Sequence, residues 1–354
     1  MEIIKCQLRF LTPAFVGDAN QDGAWRTPPI KALLRQWWRV VYAAENNFAV
    51  NVSDMRHREG MLFGHAWLED DKQNGQPVAG RKSAVRIRLD RWRPGRLRSS
   101  AWPRDKNVFH PEVGRGGRSV GSALYLGYGP LTYKSGGSAL KGETAIQDGE
   151  TSTLSIAAPT ADVAVLARVL HLIHRYGAMG GRSRNGWGSV YLEGLSKDEA
   201  PNTPLNQFED CFNQSFPHAI AQDEEGPLIW ETQPFSNWES VVNELADIKI
   251  KLRTHFSLEA ERTPHLRVMD RQWLAYPVTN HAVSDWGDKV RFPNQLRFKV
   301  RKTSDGKLVG LVFHMPHMLP EEFNADRSTL VRVWKEAHQF LDGELTNSIS
   351  RVSE

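Results

Sequence analysis

The sequence has little cysteine and no long apolar run. Its 354 residues include two cysteines, Cys6 and Cys211. Neither cysteine lies in a Cys-x-x-Cys or Cys/His spacing, so the sequence predicts no zinc motif and no disulfide framework. No apolar segment approaches the ~20 residues that a membrane span needs, and residues 1–7 are too polar for a signal peptide. We therefore expect a cytoplasmic protein that does not contact a membrane.

The sequence also lacks the common catalytic motifs. No Walker A, G-x-S-x-G, H-E-x-x-H or dinucleotide-binding fingerprint is present. His171 and His174 lie three residues apart in a helical pattern, but no third ligand is evident, so a structural role is favoured over a metal site. We expect no metal and no cofactor. A metal-independent ribonuclease would leave no sequence signature, so enzymatic RNA cleavage stays open as an alternative.

Charge is spread unevenly along a chain whose net charge is only +4. Residues 81–118 contain ten arginines and two lysines against three acidic residues. Residues 193–250 contain twelve acidic residues against two lysines, and no arginine. This polarity predicts one surface for phosphates and another that faces solvent or a basic protein neighbour.

A glycine-rich stretch at 178–189 combines residue types that suit nucleic acid. It holds Gly180, Gly181, Gly186, Gly188, Arg182, Arg184 and Trp187. Glycine lets a backbone approach a ligand closely, and arginine pairs with phosphate in a planar, two-pronged way. Trp187 offers either a stacking face or, since a strand-like run follows it, a core anchor. The alternative is a glycine-rich turn whose arginines are merely solvated.

The first helix predicted by periodicity, over 28–43, carries a basic face. Its apolar stripe comprises Ile30, Leu33, Leu34, Trp37 and Val41. A different face carries Lys31, Arg35, Trp38 and Arg39, which would suit a helix that tracks phosphates. The alternative is a solvated basic face with Trp38 at a protein interface.

A strand predicted over 83–92 places Arg86 and Arg88 on one face of a sheet, because side chains alternate along a strand. The basic, glycine-rich residues 94–121 follow, and we interpret them as a long loop or insertion that favours an anionic partner. Arg86 and Arg88 join the candidate RNA contacts.

The element order predicts an α+β fold. Strands are predicted over 3–11, 83–92, 122–133, 151–157 and 189–192, and a second helix over 161–176. Apart from one additional strand, this is the β-α-β-β-α-β order that is typical of the ferredoxin-like fold and of many RNA-binding modules. A polar boundary at 194–204 divides the chain into domains of 1–195 and 196–354.

The second domain could be a degenerate copy of the first, although no sequence repeat proves it. Helices are predicted over 205–216 and 238–252, and a last helix within 321–341. A hairpin is predicted from strands at 294–300 and 308–313, with Asp305-Gly306 in its turn.

Three segments together resemble the RAMP superfamily of CRISPR proteins, and within it the first-subunit family of the type III-B Cmr RNA-silencing complex. They are T-P-A-F-V-G at 12–17 with R-T-P-P-I-K-A-L-L-R-Q-W-W-R at 26–39, E-G-M-L-F-G at 59–64, and the stretch at 178–189. The combination is specific and covers the first 195 residues. The second half matches only through residues 291–298.

The resemblance implies two ferredoxin-like domains with long insertions, in a subunit near the 3′ end of the guide RNA. That subunit would help to capture target RNA and would not be the nuclease. Its partners would be guide RNA, target RNA and the other Cmr subunits. The implied RNA contacts are Arg35, Trp38, Arg39, Arg182, Ser183 and Arg184. The alternatives are a RAMP-type endoribonuclease that processes guide precursors and a docking scaffold that never touches RNA.

Overall fold

The computed structural model describes residues 1–134, 136–196, 201–258 and 264–352. Part of the predicted boundary at 194–204, residues 197–200, lies outside these ranges. The chain forms two compact units. The first unit comprises Met1–Pro103, Gly129–Thr132 and Ala139–Pro204. The second comprises Arg104–Tyr128, Tyr133–Ser138 and Leu205–Glu354.

The helices and strands of both units are numbered here in chain order. The α-helices are α1 Pro28–Glu45, α2 Val52–Phe63, α3 Ser122–Gly127, α4 Val163–Tyr176, α5 Trp238–His255, α6 Asp270–Leu274 and α7 Arg327–Gly343. The first strands are β1 Glu2–Phe10, β2 Lys72–Gln73, β3 Gln76–Pro77, β4 Arg86–Leu89, β5 Leu97–Arg98, β6 Asn107–His110, β7 Arg118–Gly121, β8 Leu131–Lys134, β9 Gly137–Leu140 and β10 Thr144–Ala145. The remaining strands are β11 Thr151–Ala158, β12 Val190–Glu193, β13 Leu205–Gln207, β14 Ile220–Asp223, β15 Gly226–Pro227, β16 Ile229–Thr232, β17 Leu296–Lys302, β18 Leu308–His314 and β19 Ile349–Arg351.

The first unit is built on an antiparallel sheet in the order β12-β1-β11-β4. Side chains alternate in burial along β1 and β11, so one face of the sheet is buried and the other is open. Leu8, Leu154 and Ile156 belong to the buried face. α1 and α4 pack together through Trp37 and Tyr176, whose stacked ring centroids lie 5.8 Å apart. The predicted basic helix and the glycine-rich stretch both belong to this unit.

The second unit contains an antiparallel sheet in the order β17-β18-β16-β19. Taken in chain order, β16, α5, β17, β18, α7 and β19 repeat the succession β1, α1, β4, β11, α4 and β12 of the first unit. The four strands of each succession can be numbered one to four in chain order. In both sheets their order in space is then four, one, three, two. The predicted mixture of helices and antiparallel sheets is thereby confirmed.

Several predicted elements are confirmed where local pattern and tertiary packing agree. α1, α4 and α5 occur close to the predicted bounds, and α7 contains the predicted last helix. The predicted hairpin is β17–β18, in which Gly306 adopts a φ of +87° at the turn. Glycine is suited to that left-handed conformation because it has no Cβ.

The strand predicted over 122–133 is wrong in its first half, which forms the helix α3. The carboxylate of Asp105 accepts hydrogen bonds from the backbone nitrogens of Ala123 (2.8 Å) and Leu124 (3.2 Å). These donors belong to the first helical turn and have no partner within the helix. A side chain that is distant in sequence therefore caps α3. The local sequence pattern could not predict this contact.

The helix predicted over 205–216 is also wrong. Residues Leu205–Gln207 form β13, which pairs in parallel with β14, and Glu209–Asn213 form a short 3₁₀ helix. The apolar spacing of Phe208, Cys211 and Phe212 fits one helical turn as well as a long helix. The basic residues 94–121, interpreted as a loop, contain β5, β6 and β7.

No helix within the described ranges is long and apolar enough to cross a membrane.

Candidate nucleic-acid interface

The glycine loop, residues 178–189, is fastened to the segment that follows β1. The Thr12 hydroxyl donates to the carbonyl of Gly186 (2.8 Å) and accepts from the backbone nitrogen of Ser189 (3.1 Å). The backbone nitrogen of Gly181 donates to the carbonyl of Phe15 at 2.8 Å, and that of Gly188 donates to Pro13 at 3.0 Å. Two motifs that are separate in sequence, T-P-A-F-V-G and the glycine loop, therefore form one structural feature.

Glycines in this loop are required by contacts inside the protein. A Cβ on Gly188, at a φ of +63°, would lie 2.0 Å from the carbonyl oxygen of Met179. A Cβ on Gly180 would lie 2.7 Å from the carbonyl oxygen of Phe15, and one on Gly181 would lie 2.8 Å from a carbon of Pro130. Gly186 is buried at a φ of +86°. These glycines fit the loop against its own protein, and their contact with RNA stays a prediction.

Trp187 is fully buried, which confirms its interpretation as a core anchor. Its ring packs against Phe15, at a centroid distance of 5.2 Å, and against Trp102, at 5.9 Å. The indole thus holds the end of the glycine loop and leaves no face for stacking a base.

The two arginines of the loop point outward from a tight turn. Arg182 is exposed at a φ of +59°, and its guanidinium lies 3.6 Å from the position that a Cβ on Gly129 would occupy. Arg184 is an exposed residue, yet the surrounding protein desolvates the charged form of its guanidinium and lowers its pKa. Among the described residues, no carboxylate pairs with Arg184. Ser183 lies between them and is half-buried.

Arg35 and Arg39 on the basic face of α1 converge on one buried acid. The side chain of Glu59 is 2% exposed, and it accepts hydrogen bonds from Arg35 and from Arg39, the latter at 2.5 and 3.0 Å. Both arginine side chains remain more than one-third exposed. One negative charge thus fixes two arginines, and one net positive charge remains at the surface.

Lys31 extends this face toward the start of α1. Burial, and then the neighbouring Arg35 cation, lower the pKa of Lys31. The first turn of α1 contains no acidic residue, although the positive end of a helix dipole favours anions there. An anion would stabilise this end of the helix.

The structure places Trp38 away from the predicted contact face. The residue is 5% exposed, and its ring stacks on Tyr42 and meets the edge of Phe63. α2 packs against α1 at this level, so the side chain belongs to the hydrophobic core. Stacking of a base on Trp38 would require those neighbours to move.

Arg86 and Arg88 lie on the open face of the first sheet, as the alternation predicted. Both are exposed, and β4 forms the edge of the sheet. The predicted RNA contacts therefore form three local groups within the first unit: the face of α1, the edge strand β4 and the glycine loop.

Glu59 is the first residue of the E-G-M-L-F-G motif, and the sequence alone indicates no role for it. The structure shows that this glutamate positions the two arginines of α1. An acid inside a helix that is otherwise rich in basic and apolar residues was the available signal. Its partners lie 20 and 24 residues away in sequence, so spacing alone could not identify them.

The histidines proposed as structural make backbone contacts. His171 donates through Nε2 to the carbonyl of Ser196 (2.8 Å), and Nδ1 of His174 accepts from the backbone nitrogen of Leu192 (3.1 Å). Across the described ranges, no group of three or more His, Cys, Asp or Glu side chains could hold a metal ion.

Comparison with known proteins gives one family match and several remote structural likenesses. The sequence profile of the RAMP superfamily matches residues 7–191, and no curated protein matches the chain. The crystal structure of Cmr1 from Pyrococcus furiosus, in its apo form, has a TM-score of 0.46 and 15% identity, over 91% of this chain and 90% of that chain. A chain from the type III-B Cmr-beta complex bound to cognate target RNA and AMPPnP has a TM-score of 0.46 and 13% identity, over 95% and 99%.

The family assignment depends on the profile match. The matched region begins in β1 and ends in β12, so it includes α1, Glu59 and the glycine loop. It also covers more than half of the sequence. The chain therefore belongs to the RAMP superfamily.

Proposed function

We propose that the protein is a non-catalytic RNA-binding subunit of a type III-B CRISPR effector complex. It would lie near the 3′ end of the guide RNA and help to capture target RNA for antiviral defence. Its partners would be guide RNA, target RNA and the other Cmr subunits. Membership of the RAMP superfamily and the motifs at 12–17, 26–39, 59–64 and 178–189 support this proposal.

The observation that carries the RNA-binding proposal is the presentation of Arg182 and Arg184. The loop that bears them is held by several hydrogen bonds to the segment after β1, so both side chains start from a fixed backbone. Desolvation disfavours the charged form of Arg184 and lowers its pKa. A phosphate beside the guanidinium would stabilise the charged form and raise that pKa again. A rigid loop that presents Arg184 without a paired carboxylate, beside the exposed Arg182, is suited to an RNA backbone.

The half-buried cations of α1 and the exposed cations of β4 extend the proposed contact set. Lys31, Arg35 and Arg39 supply positive charge that Glu59 only partly neutralises. Arg86 and Arg88 supply two further cations. Trp38 is left out of this set because its ring is buried.

We also propose that residues 1–195 and 196–354 are two ferredoxin-like domains. The shared strand order of the two sheets supports this assignment. Antiparallel sheets of β-α-β-β-α-β topology are used by many RNA-binding modules.

Two experiments test the proposed role. Co-expression with the remaining subunits of a type III-B complex should yield a particle that contains this chain and a guide RNA. Deep sequencing and crosslinking should place the chain near the 3′ end of that guide. A particle that assembles and captures target equally well without the chain would contradict the proposal.

The purified chain should leave repeat RNA intact when no metal is present. Site-specific cleavage would instead support the alternative, a RAMP-type endoribonuclease that processes guide precursors. An inactive chain that assembles but never crosslinks to RNA would indicate a docking scaffold.

A further inference from the structure

The open face of the first sheet carries a row of exposed cations. Lys5 on β1 pairs in register with Ser155 on β11, and Ser155 pairs with Arg88 on β4. Paired residues of antiparallel strands point to the same face, so these three side chains cross the sheet over roughly 10 Å. Arg86 lies two residues before Arg88 and shares this face.

The acidic groups near this row, Asp90 and Glu193, already bind other partners. Asp90 accepts hydrogen bonds from the Ser152 hydroxyl (2.6 Å) and from the backbone nitrogen and hydroxyl of Thr153 (both 2.8 Å). Glu193 on β12 pairs with Arg9 at 3.2 Å. Within the described ranges, no carboxylate pairs with Lys5, Arg86 or Arg88. The face is therefore complementary to an anionic chain.

An exposed tryptophan lies at the end of the same edge strand. Trp92 is 64% exposed, and its indole nitrogen donates to the carbonyl of Leu89 at 3.2 Å. This hydrogen bond fixes the ring beside the last residue of β4 while most of its surface stays in water. A fixed, exposed aromatic ring next to a basic surface is the combination on which single-stranded nucleic acids stack.

We infer that the open face of the first sheet binds an unpaired RNA segment, with Trp92 as the platform for one base and Lys5, Arg86 and Arg88 as its phosphate contacts. The inference rests on the proposed RNA-binding function and adds a selection for unpaired RNA. Bases inside a duplex are stacked on each other and cannot lie on an indole, so this face discriminates between single strands and duplexes.

Trp92→Ala in the full-length chain tests the inference directly. The affinity for a labelled oligouridine should fall roughly 5- to 150-fold, the range measured for loss of one stacked base. The affinity for an RNA duplex of equal length should stay unchanged. Trp92→Phe should restore most of the single-strand affinity, because a phenyl ring also stacks.

Trp67→Ala is the matched control. Trp67 is 80% exposed in the same unit, but it borders a cleft lined by two acids, Glu69 and Asp70, and one cation, Arg56. The net charge beside this ring is therefore negative, which does not favour a phosphate. Its replacement should leave both affinities unchanged. An iodouridine-substituted strand should crosslink to Trp92 and not to Trp67.

The outcomes separate this inference from the function on which it rests. A wild-type chain that binds no RNA overturns both. A wild-type chain that binds RNA while Trp92→Ala binds equally well overturns this inference and leaves the proposed function standing. Equal losses for single strand and duplex would show that Trp92 is structural, which also overturns the inference.

Discussion

Glu59 is the residue on which the basic face of α1 depends. Its buried carboxylate accepts hydrogen bonds from Arg35 and Arg39, so both guanidinium groups keep one orientation at the surface. Two of the three basic residues predicted as RNA contacts on this helix are thus positioned by an acid beneath them. Arg35 and Arg39 can therefore still bind an anion on the side that faces solvent.

Replacing Glu59 with Gln should destabilise the first unit by about 1–3 kcal/mol, because buried hydrogen bonds to charged groups are lost. Glu45→Gln is the control, since Glu45 pairs with Arg168 at the exposed surface, and it should cost less than about 1 kcal/mol. Denaturant unfolding of both variants measures the difference. Equal costs would show that the burial of Glu59 has no energetic consequence.

Gly188 is the second residue at which the structure tolerates little change, because a side chain at this position would meet the backbone. Gly188→Ala combines a left-handed φ with a Cβ 2.0 Å from a carbonyl oxygen, so it should destabilise the first unit by about 3 kcal/mol or more. Gly149→Ala has a similar φ of +77° but no atom within 4 Å, so it should cost about 1–2 kcal/mol. Similar midpoints for the two variants in urea unfolding would contradict the packing described for the glycine loop.

Elements formed as predicted where the local pattern is reinforced by neighbours. α1 has a proline at its start and an apolar stripe, and it forms almost as the sequence indicates. α3 and β13 differ from the elements that the sequence predicts at those positions. Asp105 caps α3, and β13 forms because its residues pair with β14. Contacts between residues that are distant in sequence determine the secondary structure of such segments, and the periodicity of the local sequence does not reveal those contacts.

The same limit applies to the candidate site. The cations and glycines could be identified from residue types, since phosphate binding needs them. The burial of Trp38 and the role of Glu59 could not, because both depend on the packing of α2 against α1. The core-anchor alternative for Trp187 could be raised from the sequence because β12 begins three residues after it.

The start of α7 gives an element-scale prediction about pH. Hydrogen bonds from Ser328, and then from Thr329, lower the pKa of Asp326 to about 2. The unfolded carboxyl titrates at about 3.9, so this stabilisation is complete above about pH 4 and is lost as the pH falls toward 2.

Asp326→Asn should keep the cap, because asparagine also caps helices, but its contribution should not change over this range. The melting temperature of the wild type should therefore fall more steeply between pH 4 and 2.5 than that of the variant. Asp285→Asn, at an exposed position that caps no helix, should follow the wild type. Parallel curves for all three proteins would contradict the capping account.

At the scale of the whole molecule, the charge polarity of the sequence is divided between the two units. The basic residues 81–103 belong to the first unit, whereas 104–118 belong to the second. Part of the acidic segment 193–250 is neutralised inside the second unit, through the pairs Glu209–Lys335, Asp223–Arg351, Glu231–Arg301 and Asp247–Lys251. These acids stabilise their own unit, which leaves fewer of them for a basic neighbour.

The salt dependence of RNA affinity tests the central claim that Arg182 and Arg184 hold RNA phosphates. For the wild type, the logarithm of the affinity for a single strand should fall by about 0.7 per phosphate contact per decade of salt. Arg182→Ala with Arg184→Ala should lower the affinity, reduce that slope by about 1.4, and leave the melting temperature unchanged. Arg58→Ala with Arg168→Ala removes the same charge from arginines that already pair with Asp54 and Glu45, so it should change the slope little. A glycine-loop variant that folds and binds RNA with the wild-type affinity and slope would contradict the account.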